Sequence, residues 1–325
     1  MLDGIKIALG YEIREGPWGG GNQFLASFKD YFEKKGSRIV HHLEEGSDLI
    51  ILINPLRGSG TFNHKDIIRF KRRNPKTKVI TRVNDCNKSK LNDVGDRDTL
   101  RLEACKVSDA VVFISEWLRD YYIEKGFNRG IRHTVIRNGV DKEVFNAEGY
   151  TPWEPGIPMK IVTHHWSYNW NKGADIYIWF DKLLEDPWMK EQFEFTYIGR
   201  LPRITPKSSE VKFKNIRYIP PLSGMALADE LKEHHVYLTA SRWEPGGMHQ
   251  LEGACCGLPL IFNREGGGIV ESCRGFGVEF TEENFPISLF KMLEQYRDFV
   301  LKMNNFSSTA DVMNKKYEEL ILGLF

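Results

Sequence analysis

Short runs rich in Ile, Val and Leu alternate with amphipathic stretches along almost the whole chain. Ile5–Tyr11, Arg38–His41, Asp48–Asn54, Lys78–Val83 and Ala110–Ser115 read as buried strands. Between them apolar residues recur at helical spacing, first in a helix that follows a glycine loop at 15–22 and runs to about Lys35. Strand alternating with helix predicts a parallel sheet covered by helices on both faces. Asn146–Pro158, rich in proline and glycine, breaks the periodicity and reads as a linker. The alternation then resumes: a strand from Met159, a helix to Leu184, strands at Phe195–Arg200 and around Asn215–Ile219, a helix to Glu233 and a strand at Val236–Ala240. Leu260–Asn263 is a further strand, and amphipathic helices occupy the chain from Glu283. The expected organisation is an α/β domain at 1–150, a second at 151–305 and a C-terminal helix at 306–325.

Composition narrows the classes. A chain of 325 residues favours two domains, each able to bury its own core. Hydrophobic content of 41% with 27% charged residues is that of a globular protein, and the net charge of +1 gives no field that would favour nucleic acid. Five cysteines, an odd number without a C-x-x-C pair, suit reduced thiols better than disulfides or zinc. No apolar run approaches a membrane span and no basic, then apolar, leader opens the chain, so a cytoplasmic location is expected. The basic run Phe70–Lys78 reads as a solvated helix end, with weak association with an anionic membrane surface as the minor alternative.

The densest chemistry lies between Val236 and Pro259. The strand ends in a turn carrying Glu244, Pro245, Gly246 and Gly247; a short helix should follow from Met248 or His249 and stop at Gly257. Glu252 falls in its first turn, eight residues beyond Glu244. Unpaired N–H groups at a helix start favour an anion, whereas carboxylates accept hydrogen bonds from paired hydroxyls. Phosphate beside hydroxyls describes a nucleotide sugar. Turn chemistry and a dipole-complementing Glu252 would produce the same letters without any ligand.

Other segments strengthen the ligand reading. Val107–Arg119 forms a strand-to-helix step. Asn138-Gly-Val-Asp141 leads to Phe145, Lys172-Gly173 follows the Met159 strand, and Gly266-Gly267-Gly268 follows the Leu260 strand. Together, and in this order, they resemble the retaining glycosyltransferases of family 4. That resemblance implies the GT-B fold, two Rossmann-like doubly wound domains facing across a cleft, with the last helix crossing back to the first domain. It implies transfer of a sugar from a nucleotide diphosphate donor to a hydroxyl acceptor, a saccharide or lipid-linked glycan, with retention and without a metal or other cofactor.

By the same resemblance Glu244 holds the donor sugar, Lys172 neutralises the departing diphosphate and Glu252 binds the ribose. Gly246, Gly247, Met248 and His249 present backbone N–H groups to the phosphates, and Gly20 and Gly21 approach the donor from the first domain. The family's arginine before the Lys-Gly pair is replaced here by Trp166-Ser167; Ser167, Asn171 and Arg200 are the candidates to compensate. Asp85 and Asn84, at a strand's carboxyl end, are acceptor-side candidates; an Asx-turn or cap would equally suit Asp85. His164 and His165, adjacent on a strand, point to opposite faces and suit packing or hydrogen bonding better than a metal. An epimerase of the same fold and a non-catalytic nucleotide-sugar-binding protein are the alternatives.

Overall fold

A computed structural model describes residues 3–14, 19–56, 60–90, 95–203 and 209–325. It divides into two α/β units, each discontinuous in sequence: Met1–Asn87, Asp93–Gly139 and Thr309–Phe325 form the first; Lys88–Asn92 and Val140–Ser308 form the second. Val140 and Phe145, inside the span expected for the first domain, are buried in the core of the second unit.

The first unit runs β1 (Lys6–Leu9), α1 (Gly20–Lys34), β2 (Arg38–Val40), β3 (Leu49–Leu52), α2 (His64–Lys71), β4 (Lys78–Val83), α3 (Arg97–Lys106), β5 (Ala110–Phe113), α4 (Glu116–Glu124) and β6 (His133–Val135). The strands form one parallel sheet, β2-β1-β3-β4-β5-β6. Leu49-Ile-Ile-Leu52 and Ala110-Val-Val-Phe113 are buried throughout, because helices cover both faces of a parallel sheet. Side chains start the helices: Asn63 and Asp66 form a reciprocal capping box on α2, and Asp96 and Ser115 cap α3 and α4. In the basic run, Lys71 pairs with Asp109 at 3.2 Å, while Arg72, Arg73 and Lys76 are exposed.

The second unit runs β7 (Met159–His165), α5 (Ala174–Leu183), α6 (Pro187–Gln192), β8 (Phe193–Gly199), β9 (Arg217–Ile219), α7 (Gly224–Lys232), β10 (Val236–Thr239), α8 (His249–Cys255), β11 (Leu260–Asn263), α9 (Val270–Cys273), β12 (Gly277–Phe280) and α10 (Phe285–Met303). Its parallel sheet is ordered β12-β11-β10-β7-β8-β9. The chain enters at β7, builds outward through β8 and β9, then returns to lay β10 against the other side of β7. Neighbouring strands whose connections leave in opposite directions open a crevice at their carboxyl ends, where open α/β sheets bind ligands.

The last helix, α11 (Ala310–Leu322), belongs to the first unit. Met313, Tyr317 and Ile321 join Phe24, Phe28 and Phe32 of α1 in one core, and Asn314 bonds Ser27 while Glu318 bonds Tyr31 and Lys35. Gly139 is required here, since a Cβ would lie 2.1 Å from the Thr309 carbonyl oxygen. Beneath this helix sits a buried cation. Arg82 lies 4.0 Å over the Phe24 ring and donates from Nη2 to Asn138 Oδ1 at 2.7 Å, while its Nε and Nη1 have no hydrogen-bond partner among the described residues. Burial lowers its pKa from the ordinary guanidinium value.

None of the five cysteines is in a disulfide, and burial pushes the thiols of Cys105, Cys256 and Cys273 up to about 12. No helix among the described residues is long and apolar enough to cross a membrane.

Candidate functional site

The loops after β7 and β10 meet at the crevice of the second unit, and one glycine makes the meeting possible. Gly173 has φ +95° and lies so close to β10's exit that a Cβ would stand 2.3 Å from the Ala240 Cβ and 2.6 Å from its backbone. No other residue fits both the left-handed conformation and the crowding. The single 3₁₀ turn Trp170–Lys172 before it is braced from behind: the side-chain amides of Asn169 and Asn171 both donate to the Ser89 carbonyl, at 3.1 and 3.3 Å. Asn171 is thus buried and turned to Ser89, while Ser167 Oγ accepts from the Asn169 N–H at 3.2 Å. This scaffold sets Lys172 Nζ 2.5 Å from Glu244 Oε2. Both side chains are about four-fifths buried (18% and 21% exposed).

Glu244 is held as firmly as its partner. Its backbone N–H donates to Gly266 and its carbonyl accepts from Gly268, at 3.0 and 2.8 Å. Gly267, at φ +71°, approaches so closely that a Cβ would be 2.9 Å from the Glu244 carbonyl oxygen. This triplet thus packs directly on Glu244's own backbone. Trp243, just before, has φ +51°, a strained conformation for a bulky residue that persists only where surroundings enforce it. Arg242 enforces it in part: its N–H bonds the Asn171 carbonyl, and its guanidinium forks onto Asp175 of α5 at 2.8 and 2.6 Å. The two loops are thereby tied by backbone and by ion pair.

Behind them lies α8. It starts at His249, ends at Cys255 and is closed by Gly257 at φ +94°. Gly247 has to be glycine, because a Cβ would be 2.8 Å from the His249 ring. The side chains of Met248 and His249 point into the interior, so anything they offer a ligand comes from the backbone. His249 Nε2 is 3.0 Å from Thr239 Oγ1, and burial, then the neighbouring His165 and Lys172, hold its pKa well below the usual imidazole value. His165 is likewise neutral by burial and bonds Tyr177 Oη at 2.7 Å. Its neighbour His164 faces the other way, toward Glu252, with Nε2 to Oε2 at 2.6 Å. Glu252 itself is 3% exposed. Among the described residues no three His, Cys, Asp or Glu converge as a metal-binding set.

Arg200 follows β8 and leans on Trp166. Its guanidinium is 4.1 Å above the Trp166 ring, and no carboxylate pairs with it among the described residues. Gly199 makes this possible, since a Cβ there would be 2.0 Å from the His165 carbonyl oxygen. The backbone is then clamped: Arg200 N–H donates to that carbonyl at 3.0 Å, and the Tyr197 hydroxyl donates to the Arg200 carbonyl at 2.8 Å.

In the first unit, Gly20 and Gly21 open α1, and Gly21 lies close to the Asn84 amide, 3.7 Å from a virtual Cβ. Part of the preceding loop, 15–18, lies outside the described residues. Asp85 is partly buried; one oxygen caps the Cys86 N–H and the other accepts from Arg101 Nη2 at 3.1 Å. Tyr121, Tyr122 and Arg101 converge on Asp98 beside it. Of the residues that build the second unit's site, Arg242, Asp175, Trp243 and Tyr237 had no sequence signal beyond standing next to a motif.

No family model matches the sequence. An uncharacterized glycosyltransferase of Methanocaldococcus jannaschii is 26% identical over 223 residues, 67% of this chain but only 58% of that protein's length. Among solved structures, sucrose-phosphate synthase from Thermosynechococcus elongatus aligns over 99% of both chains (TM-score 0.68, 12% identity). HepE from Anabaena, in complex with UDP-glucose, covers 98% of this chain and is itself covered completely (TM-score 0.66, 14% identity). WaaG, a glycosyltransferase involved in lipopolysaccharide biosynthesis, covers as much (TM-score 0.65, 13% identity). Likeness at such identities speaks for architecture: with two parallel α/β units of six strands each, the chain has the GT-B fold.

Proposed function

We propose that the protein is a glycosyltransferase of the retaining kind, moving a hexose from a nucleotide diphosphate sugar to a hydroxyl of a saccharide or lipid-linked glycan. The observation that carries this reading is the Lys172–Glu244 pair at the carboxyl ends of β7 and β10, backed by the buried Glu252. The sequence kinship with a glycosyltransferase of M. jannaschii supports it, as does the fold shared with HepE, whose complex holds UDP-glucose.

An ammonium has three N–H donors, and Glu244 uses one. The others serve a phosphate oxygen, while the Glu244 carboxylate accepts from hydroxyls of the donor sugar. In the transfer step the bond from the anomeric carbon to the phosphate oxygen breaks and its electron pair leaves with the diphosphate. The acceptor oxygen bonds the anomeric carbon on the same face, and its proton passes to the departing phosphate. Lys172 and Arg200 stabilise the charge that develops, assisted by backbone N–H groups of Gly246 to His249 and by Ser167. Asn171 supports the Lys172 turn. Glu252 takes the ribose hydroxyls; Gly20 and Gly21 are donor-side, and Asn84 and Asp85 acceptor-side, candidates of the first unit.

The test is incubation with UDP-, GDP- and ADP-hexoses plus glycan acceptors, read by mass spectrometry, with product anomers assigned by NMR. UDP-glucose is the first donor to try, and EDTA is expected to leave the rate unchanged. An isomerised sugar would point to the epimerase, and tight binding without turnover to a non-catalytic protein. An inverted product would refute retention.

A further inference from the structure

Glu252 is a buried carboxylate bonded to an imidazole, and the bonds around that imidazole fix its tautomer. The Tyr237 hydroxyl accepts from the His164 N–H at 3.1 Å and lies 3.1 Å from His164 Nδ1, closer than to the His164 carbonyl at 3.3 Å. Burial keeps the Tyr237 phenol protonated, so its hydrogen is available to Nδ1. With Nδ1 accepting, the ring proton sits on Nε2, facing Glu252 Oε2 at 2.6 Å. The chain of contacts is packed tightly: Gly253 of α8 lies on Tyr237 so closely that a Cβ would be 2.3 Å from the phenol ring. His164 and Glu252 are 10% and 4% exposed at the side chain, 88 residues apart in sequence.

Resting on the nucleotide-sugar reading above, we propose that His164, locked by Tyr237 as the Nε2–H tautomer, is a positioning residue for Glu252. It engages Oε2 and orients the carboxylate so that the remaining acceptor capacity meets the two ribose hydroxyls of a nucleoside diphosphate. Selectivity for ribose over deoxyribose then depends on a residue that does not itself touch the nucleotide. Without the Tyr237 hydroxyl, the proton can move to Nδ1, and two acceptors would face each other at 2.6 Å.

The experiment is calorimetric titration of the whole protein with UDP, GDP and ADP and with their 2′-deoxy counterparts, with melting temperatures recorded alongside. Wild type should prefer the ribonucleotide about tenfold or more. Glu252→Ala should remove that preference, and His164→Ala should do the same with at least a tenfold loss of affinity. His164→Gln, which returns an N–H donor near the Nε2 position, should restore most of it, and Tyr237→Phe should lose part. Should His164→Ala fail to fold, the Gln and Phe variants decide alone. Ribose preference unchanged in the His164 variants while Glu252→Ala abolishes it would overturn the inference and leave the functional reading standing. Wild-type protein that binds none of the three diphosphates would overturn both. Equal loss in His164→Ala and His164→Gln, with lowered melting temperatures, would reduce His164 to packing.

Discussion

The two sheets are of one class but are wound differently. In the first unit the chain begins at β1, one strand from the edge, and reverses between β1 and β3; in the second it begins at β7, inside the sheet, and reverses between β7 and β10. The charged groups follow that difference. At the second unit's reversal Lys172, Glu244 and Glu252 are brought together over neutral, buried histidines. In the first unit a buried charge, Arg82, is instead spent inside the fold, on Asn138 and the Phe24 ring beneath α11, and Arg101 is spent on Asp98 and Asp85. Buried charge marks a site only where its partner stands in a crevice with room for a ligand; elsewhere it fastens elements together.

Activity should separate the units most sharply. Lys172→Ala and Glu244→Ala are expected to lower kcat/KM by about a thousandfold or more, as for loss of a group that stabilises the departing charge. Asp85→Asn in the first unit should cost about tenfold, because Asp85 is also held by Arg101. Comparable losses at all three positions would erase the contrast.

Next comes stability at two glycines of nearly equal φ. Gly173→Ala (φ +95°, crowded by Ala240) should cost about 3 kcal/mol or more, whereas Gly126→Ala (φ +93°, open space) should cost about 1 kcal/mol. Urea melts give both, and equal costs would mean that the crowding at Gly173 relaxes. Asn138→Ala, which takes the acceptor from a buried guanidinium, should destabilise the first unit by about 2–3 kcal/mol with little change in nucleotide binding.

The units should also differ in acid stability. Burial lowers His234 and His235 to about 4, and His165 and His249 lie well below the ordinary value. A histidine kept neutral in the fold contributes stability above the unfolded pKa, and that contribution is lost as pH falls from about 6.5 toward 4, by roughly 1.4 kcal/mol per pH unit per group. In the first unit only His64, among the described residues, is shifted this way. Hydrogen exchange at pH 7 and pH 5 should therefore show the second unit loosening first.

Much of the architecture was legible because strands buried on both faces read as continuous apolar runs, as in Leu49–Leu52 and Leu260–Asn263. β6 and β12 were missed for the opposite reason: they are edge strands, His133–Val135 only half-buried and Gly277–Phe280 alternating between buried and half-buried positions. At the site, the motif residues Glu244, Glu252 and Lys172 stood out by spacing. What arranges them did not. The Arg242–Asp175 fork spans 67 residues and the His164–Glu252 bond 88, and no local pattern encodes which distant side chain will complete a bond. The left-handed Trp243 is invisible for a related reason, since its conformation is imposed by neighbours rather than preferred by the residue.

Ser89 carries a practical consequence for anyone who would cut this molecule. It stands among residues numbered with the first unit, yet its carbonyl receives the Asn169 and Asn171 amides beneath the Lys172 turn. A fragment spanning 140–308 would contain every charged residue of the crevice and lack the oxygen those amides rest on. Likewise, a fragment ending at Gly139 would leave Phe24 and Phe28 without Tyr317. Grafting the second unit between relatives along a single cut would transplant the motifs without their footing; the exchange has to carry Ser89 with it.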